Sequence, residues 1–441
     1  MEQRRKNLTQ LFIPICLETL LYMLSGMVDT LMLSSVNDQA VGAVGTANTY
    51  IGIFIIMFSV ISSGMVAVMT QNIGAGRPGV AYQARQLGLA FNAVLGVIMS
   101  LFLSLGAGTI LSGVGVADAL MQPAKTYLQI VGGFCILNAL IPICSSYLRA
   151  FGFSKEPLYA SIIGNVINFC LNAFFLFVLH KGVAGVATAT VISRIINLVI
   201  VVLLGAVLVK AKQHPERGSN REVMGQIIRI GLPSACETAI YNVSMTLVIR
   251  FLNQMDAQGL NVTARSYTMQ ITNFSYCVGA ALAQANAIMT GWHIGAKEYD
   301  ACDRGTKKAA VIGVIVAVIL ETVFTLCSGW IMQLFSKDPQ MVSLVGKLLA
   351  IDIVLEMGRV TNLVYGQALK TSGDAVFPVV MGACFMILCS VGGTYLFGIR
   401  LGLLAVGAYI GMTGDECVRA VGMYLRWKSG KWKEKGLVKS R

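Results

Sequence analysis

Four polar residues interrupt an otherwise apolar stretch near the start of the chain: Glu18, Tyr22, Ser25 and Asp29. Their spacings of 4, 3 and 4 residues put them on one helical face. At ~100° per residue, only about 20° of rotation separates Glu18 from Asp29, and at ~1.5 Å per residue they stand ~16 Å apart along the axis. A carboxylate inside a membrane helix costs at least ~2.5–3.5 kcal/mol on insertion scales. It persists if it faces water, a cation or a basic partner, or if it holds a proton. Burial favours its neutral form and an approaching cation favours its charged form. Asp29 is therefore a candidate for exchanging a proton or Na⁺ against another cation. No arginine of the first half is expected at its depth, because Arg149 and Arg194 are placed nearer helix ends.

Other acids carry two readings each. Glu18 and Glu237 each follow a proline by one turn, and either pair with a loop Lys or Arg or act in gating. In "AIDIVLEMGRVTN", Asp352 and Glu356 are four apart and Arg359 follows three later. A Glu356–Arg359 ion pair and a cation or substrate site are both open there. Glu321 is isolated in mid-helix, and Asp415, Glu416 and Arg419 read as a structural network on the cytoplasmic side. The three histidines, His180, His214 and His293, fit no metal pattern and no triad. The 11 cysteines lie mostly in apolar segments without Cys-x-x-Cys spacing, as small buried hydrophobes do. No catalytic site, resident metal or cofactor is expected, and a membrane-embedded enzyme is disfavoured.

These side chains need helices to hold them. Of 441 residues, 56% are hydrophobic and 12% charged, against about 25% charged in soluble domains. The mean hydropathy is +0.71. With about 20 apolar residues per span, twelve spans are predicted, at 9–35, 40–72, 87–112, 123–148, 157–180, 183–209, 226–252, 262–290, 308–335, 340–369, 376–399 and 401–427. No cleavable signal peptide is expected, and the short alternating strands of a barrel are absent from the pattern. The net charge of +13 concentrates in loops of one parity: Arg4, Arg5 and Lys6, then Arg77 and Arg85, Lys155, Lys210, Lys212, Arg217 and Arg221, then Lys297, Arg304, Lys307 and Lys308, and the tail "RWKSGKWKEKGLVKSR". Such loops stay in the cytoplasm. The expectation is a multi-pass protein of the cell membrane with both termini cytoplasmic, in contact with lipid, monomeric, and not a nucleic-acid binder.

The chain also repeats itself. "LRAFGFSKEP" (148–157) resembles "LKTSGDAVFP" (369–378) at an offset of 221, and "PICLETLLYMLS" (14–25) resembles "PSACETAIYNVS" (233–244) at 219. "MTQNIGAG" (69–76) resembles "MTGWHIGA" (289–296) with a slip of one. The second copy has Val248 where the first has Asp29. The predicted fold is an all-α membrane protein of about twelve transmembrane helices in two pseudo-symmetric six-helix lobes. The expected division is 1–209, a polar linker at 210–225 with Pro215 and Gly218, and 226–441 with the basic tail. Six helices per copy keep the repeats parallel, and a cleft between the lobes is expected to open to each side in turn. Polar residues on helices 2 and 8, namely "TANTY", Ser59, Ser62, Ser63, "YTMQITNFSYC", Gln284 and Asn286, either bond across helices or line that cleft. Tyr50 and Tyr276 offer aromatic faces to a cation, and Gln284, Glu237 and Glu356 complete the substrate-cleft candidates. The 21 methionines suit an adaptable surface.

Taken together, Pro14, Asp29-Thr30, "QNIGAG" (71–76), the two repeated corner motifs, "GVAGVATATVIS" (182–193) and "RWKSGKWK" resemble the multidrug and toxin extrusion (MATE) transporters over nearly the full length. The resemblance implies export of organic cations or other amphipathic small molecules, driven by inward Na⁺ or H⁺ as coupling ion. It also implies an N-lobe cation site of Asp29, Asn168, Asn172 and Thr190. Asn172 stands where the family's helix 5 segment has an aspartate; its amide ligates Na⁺ through oxygen but carries no proton. Oxygen ligands of this kind suit a hard cation. A branch of the family uses acids on helices 7 and 10, for which Glu237 and Glu356 are the nearest matches. A lipid-linked precursor flippase of the wider superfamily is the alternative, with more spans and a more basic cavity.

Overall fold

The computed structural model describes residues 6–35, 38–113, 116, 118–210, 214–256, 258–333 and 335–438; Arg4, Arg5 and Lys212 lie outside the described residues. Within them the chain is all helix, with no strand. Twelve long helices follow one another: α1 (Leu8–Ser34), α2 (Asp38–Gly74), α3 (Pro78–Gly113), α4 (118–150), α5 (Lys155–Val178), α6 (Gly182–Leu208), α7 (Asn220–Met255), α8 (Leu260–Gly295), α9 (Tyr299–Leu326), α10 (Pro339–Ser372), α11 (Val376–Arg400) and α12 (Leu404–Lys428). All twelve predicted spans are present, with three corrections. The segment expected as a linker at 210–225 is already helical from Asn220. The ninth span starts earlier than 308, at Tyr299, and stops at Leu326 before a one-turn helix Ser328–Met332. The fourth is broken: a π turn at Leu128–Gly132 and a non-helical step before Ile136 bend it by 43°, at the Gly132–Gly133 pair where helix propensity is lowest.

Seven helices are long and apolar enough to cross a membrane, and the bent α4 makes an eighth. The other four, α7, α8, α10 and α12, fall short on composition. Three of them carry charged groups that are buried: Arg265 on α8, Asp352 and Glu356 on α10, and Asp415, Glu416 and Arg419 on α12. Their polarity is turned inward, which a hydropathy average does not register.

The helices form two compact units, Met1–Leu232 and Pro233–Arg441. In the first, α2 packs on α3 and α4, α1 on α5, and α5 on α6. Its apolar core is built from Ala47, Ile51, Phe58, Leu103, Leu111, Leu128 and their neighbours. Asn92 on α3 donates to the carbonyls of Phe58 and Ala139, tying three helices together. The opening turns of α7 belong to this unit and cross α2 at backbone contact. A Cβ added to Gly231 would stand 1.7 Å from the Val60 carbonyl oxygen, and one on Gly64 would stand 2.0 Å from that of Ile227. In the second unit α10 is central and touches α8, α9 and α12. Asp338 caps it, accepting from the Gln340 amide at 2.9 Å.

The repeated corner motif has a structural cause. Gly152 (φ 87°) and Gly373 (φ 101°) both adopt the left-handed conformation that closes a helix. The amide that follows each reaches back to an equivalent carbonyl, Phe153 to Leu148 and Asp374 to Leu369, both at 2.9 Å. At the second corner the C-terminal segment closes over the turn. Arg426 and Lys435 both donate to Asp374, at 2.7 and 2.8 Å. Trp432 stacks on Trp427 at 4.2 Å between ring centroids, and Trp427 donates to Asp303 on α9 at 2.9 Å. Burial raises the Asp374 carboxyl's proton affinity, but the Arg426 and Lys435 bonds outweigh it and hold its pKa below the ordinary value.

Two predictions follow from these contacts. Gly231→Val overpacks the α2–α7 crossing and costs on the order of 1–3 kcal/mol or more, read as a lower thermal midpoint of the purified protein in detergent. Because the folded pKa of Asp374 is depressed, its stabilisation is present above the unfolded value and is lost as pH falls through the folded one. Asp374→Asn therefore lowers the midpoint at pH 7, and the gap to the parent closes only below about pH 4.

Candidate functional site

The packing of α1 on α5 brings three of the four expected cation ligands together. Asn172 is fully buried, and its Nδ2 donates to Asp29 Oδ1 at 2.7 Å and to Asn168 Oδ1 at 3.1 Å. Asn168 and Asn172 lie one turn apart on α5, and α5 passes into a π turn at Phe174–Val178 just beyond them, a distortion common at functional positions. A carboxylate only accepts, so the amide nitrogen of Asn172 must face Asp29 and its oxygen must point elsewhere. That oxygen, Oδ1, is buried and has no hydrogen-bond partner. Thr190 on α6 is not bonded to this group; its hydroxyl donates to the Val186 carbonyl at 2.9 Å, the usual habit of a threonine inside a helix.

The surroundings correct one expectation. Arg194 is not near a helix end: it lies twelve residues after the first residue of α6 (194 − 182) and fourteen before its last (208 − 194). Its charge acts on Asp29 and on Tyr127 and Cys135 of α4, yet it forms no ion pair with Asp29 within 4 Å. The sequence signal for it was available, a lone arginine in "VISRIINLVI", but helix ends read from composition placed it too far out.

Glu18, on the same face of α1, is neutralised. Arg149 Nη2 lies 2.6 Å from Glu18 Oε2, and Ser161 donates to Oε1 at 3.3 Å. In the second unit Glu237 meets Lys370 at 2.5 Å. The partners come from the last turns of α4 and α10 and not from loops. The two pairs obey the repeat: 237 − 18 = 219 and 370 − 149 = 221.

The remaining substrate candidates are dispersed. Tyr50 is partly buried against the first unit's core. Tyr276 on α8 lies under the Arg359 guanidinium, 5.9 Å from its ring centroid. Gln284 is partly buried on the same helix, and Asn286 is buried, donating to Thr306 of α9 at 3.5 Å. The hydroxyls of Thr46, Thr49, Ser59, Ser62 and Ser63 turn back to carbonyls of their own helix. Glu356 is buried and pairs with Arg359, which also reaches Glu416 at 3.5 Å. Arg419 completes the network with Glu416 at 2.9 Å and Asp415 at 2.8 Å. Asn362 and Ser390 join it from α10 and α11, each at 3.0 Å.

The MatE family model matches the chain twice, over 14–174 and 233–396. A Bacillus subtilis protein described as the uncharacterised transporter YisQ is 34% identical over 431 residues, covering 96% of this chain and 94% of its own. The chain belongs to the MatE family. A Thermotoga maritima relative, described as the probable multidrug resistance protein NorM, is 24% identical and covers 98% of this chain and 94% of its own. Among solved structures, a multidrug resistance MATE transporter in an outward-facing conformation superposes with a TM-score of 0.86 at 18% identity, covering 98% of this chain and 96% of that one. A MATE in the bent conformation reaches 0.88 at 19%, covering 97% and 96%. MatE proteins are multi-pass membrane transporters, and the twelve-helix, two-lobe layout of this chain is theirs.

The matched ion pairs generate a prediction for this MatE chain. Arg149→Gln leaves the partly buried Glu18 carboxylate without its base and destabilises by about 1–3 kcal/mol. Adding Glu18→Gln recovers most of that loss, checked by thermal midpoints of the single and double variants.

Proposed function

We propose that the protein is a secondary active antiporter that exports organic cations or other amphipathic small molecules in exchange for inward Na⁺ or H⁺, by alternating access. One observation carries this reading. Asp29, a carboxylate within the apolar helix α1, is bonded to Asn172, while the buried Asn172 Oδ1 has no donor to accept from. The charged Asp29 Oδ1 and the neutral Asn168 Oδ1 both accept from the one Asn172 Nδ2 and are thereby brought near each other, without a protein counter-charge in contact. Na⁺ is bound by such oxygens; a proton is bound by Asp29 alone, since neither asparagine titrates. Thr190 is assigned as a further oxygen that a small rotation of its hydroxyl releases. Arg194 stands close enough to steady the Asp29 charge when the coupling ion leaves. Coupling requires that cation and cargo favour different states, because a ligand shifts a conformational equilibrium only through differential affinity.

The same reading places the protein in the cell membrane with both termini in the cytoplasm, supported by the clustering of Lys and Arg in loops of one parity. It acts without a resident cofactor, and as a monomer. The test is transport of a fluorescent organic cation by proteoliposomes under an imposed Na⁺ or pH gradient. The parent responds to one of the two gradients, which names the ion. Asp29→Asn inserts normally and loses the gradient-driven component by tenfold or more; unchanged gradient-driven efflux by that variant contradicts the assignment.

A further inference from the structure

A second group of acids lies in the other unit and is not used by the reading above. Glu321 on α9 is fully buried, and neither of its carboxylate oxygens has a hydrogen-bond partner. From α10, Asp352 and Glu356 face it electrostatically; both are buried and lie one helical turn apart. Each of these also has one oxygen without a partner, Oδ2 of Asp352 and Oε2 of Glu356. Ser275 on α8 lies beside Glu321, and its hydroxyl is buried and unpartnered as well. The basic group that faces the three acids is Arg359, which is shared between Glu356 and Glu416. Tyr409 on α12 is the further titratable neighbour of Asp352.

The charges do not balance. Five buried carboxylates (Glu321, Asp352, Glu356, Asp415 and Glu416) stand against two buried guanidiniums, Arg265 on α8 and Arg419, and the partly buried Arg359. Two of the five lack a counter-charge if all are ionised. Arg419 and Arg359 are committed to the α12 acids and Glu356, which leaves Glu321 and Asp352 without one. An ionised carboxylate buried with neither a base nor a hydrogen-bond donor is penalised by several kcal/mol. Either a metal cation or a proton removes the charge. Among the described residues no group of three His, Cys, Asp or Glu side chains is placed to hold a metal ion, whereas a proton needs only one of these carboxylates.

We propose that Glu321, facing Asp352 and Glu356 across the α9–α10 contact, is the centre of a proton-binding site in the second unit, separate from Asp29. Binding converts one carboxylate and one proton from water to a neutral carboxyl; no other reactant is needed. The neutral acid gains a donor, for which the unpartnered Ser275 hydroxyl and the free carboxylate oxygens of Asp352 and Glu356 are the available acceptors. This holds whether Asp29 exchanges Na⁺ or H⁺, so the site does not depend on the coupling assigned above.

Infrared spectroscopy of the full chain in lipid nanodiscs tests it, following the C=O stretch of protonated carboxyl groups in Na⁺-free buffer. The expected result is a protonated-carboxyl band in the parent at pH 7 that survives in Asp29→Asn, loses intensity in Glu321→Gln and shifts in Asp352→Asn. Absence of the band in the parent overturns the proposal with no variant required. So does a band untouched by both Glu321→Gln and Asp352→Asn, or one that Na⁺ added at constant pH abolishes, which marks a metal-cation site instead. Should Glu321→Gln not fold, Asp352→Asn decides. Transport that persists in Asp29→Asn would refute the function proposed above and leave the outcome of this experiment standing.

Discussion

A charge placed among apolar helices has to find a partner, and most of the polar architecture of this protein answers that demand. The two pairs Glu18–Arg149 and Glu237–Lys370 show it in duplicate. Each joins an acid one turn beyond a proline to a base in the last turn of the fourth helix of its repeat. A lone acid at either place would be an uncompensated, partly buried charge; a lone base would be the same. The two residues of each pair are more than 130 positions apart, so helix packing itself brings the charges together, and loss of packing would expose them. The left-handed glycine corners that follow each base, Gly152 and Gly373, keep the ends of α4 and α10 in the register the pairs need.

The repeats then diverge along the same physical line. In the second unit charge is compensated by a network, Arg359 and Arg419 between Glu356, Glu416 and Asp415, held by Asn362 and Ser390. That network is the reason α10 and α12 are too polar to register as spans by composition. In the first unit the equivalent interior is apolar, and Asp29 stands in it with amides for company in place of a base. Val248 at the corresponding point of α7 is fully buried. The second unit pairs Glu356, Asp415 and Glu416 with arginines and leaves Glu321 and Asp352 outside those pairs, whereas the first unit holds Asp29 on an amide.

Backbone geometry supports both arrangements. The π turn that follows Asn172 widens α5 next to the Asp29 bond, and the bend in α4 divides that helix near Cys135 and Tyr127, the residues on which Arg194 acts. In a bilayer every backbone polar group must be satisfied within the protein, so these departures from regular helix occur where neighbouring helices pack around them.

The amino-acid sequence alone determined the class, the twelve segments, the internal repeat and the prominence of Asp29. Each of these depends on local or periodic properties: apolar length against bilayer thickness, residue spacing on a helical face, and glycine or proline at fixed offsets. Its spacing also offered a Glu356–Arg359 pair as one of two open readings, since residues three apart on one helix are neighbours, and the structure forms that pair. Only the tertiary structure decided the rest. It joined Asn172 to Asp29 across 143 positions, moved Arg194 from a helix end to mid-helix, turned the Thr190 hydroxyl onto its own backbone, and set Glu321 against α10 with no basic partner. Such contacts are absent from any single helix, since which face of one helix meets which face of another depends on how all of them pack at once.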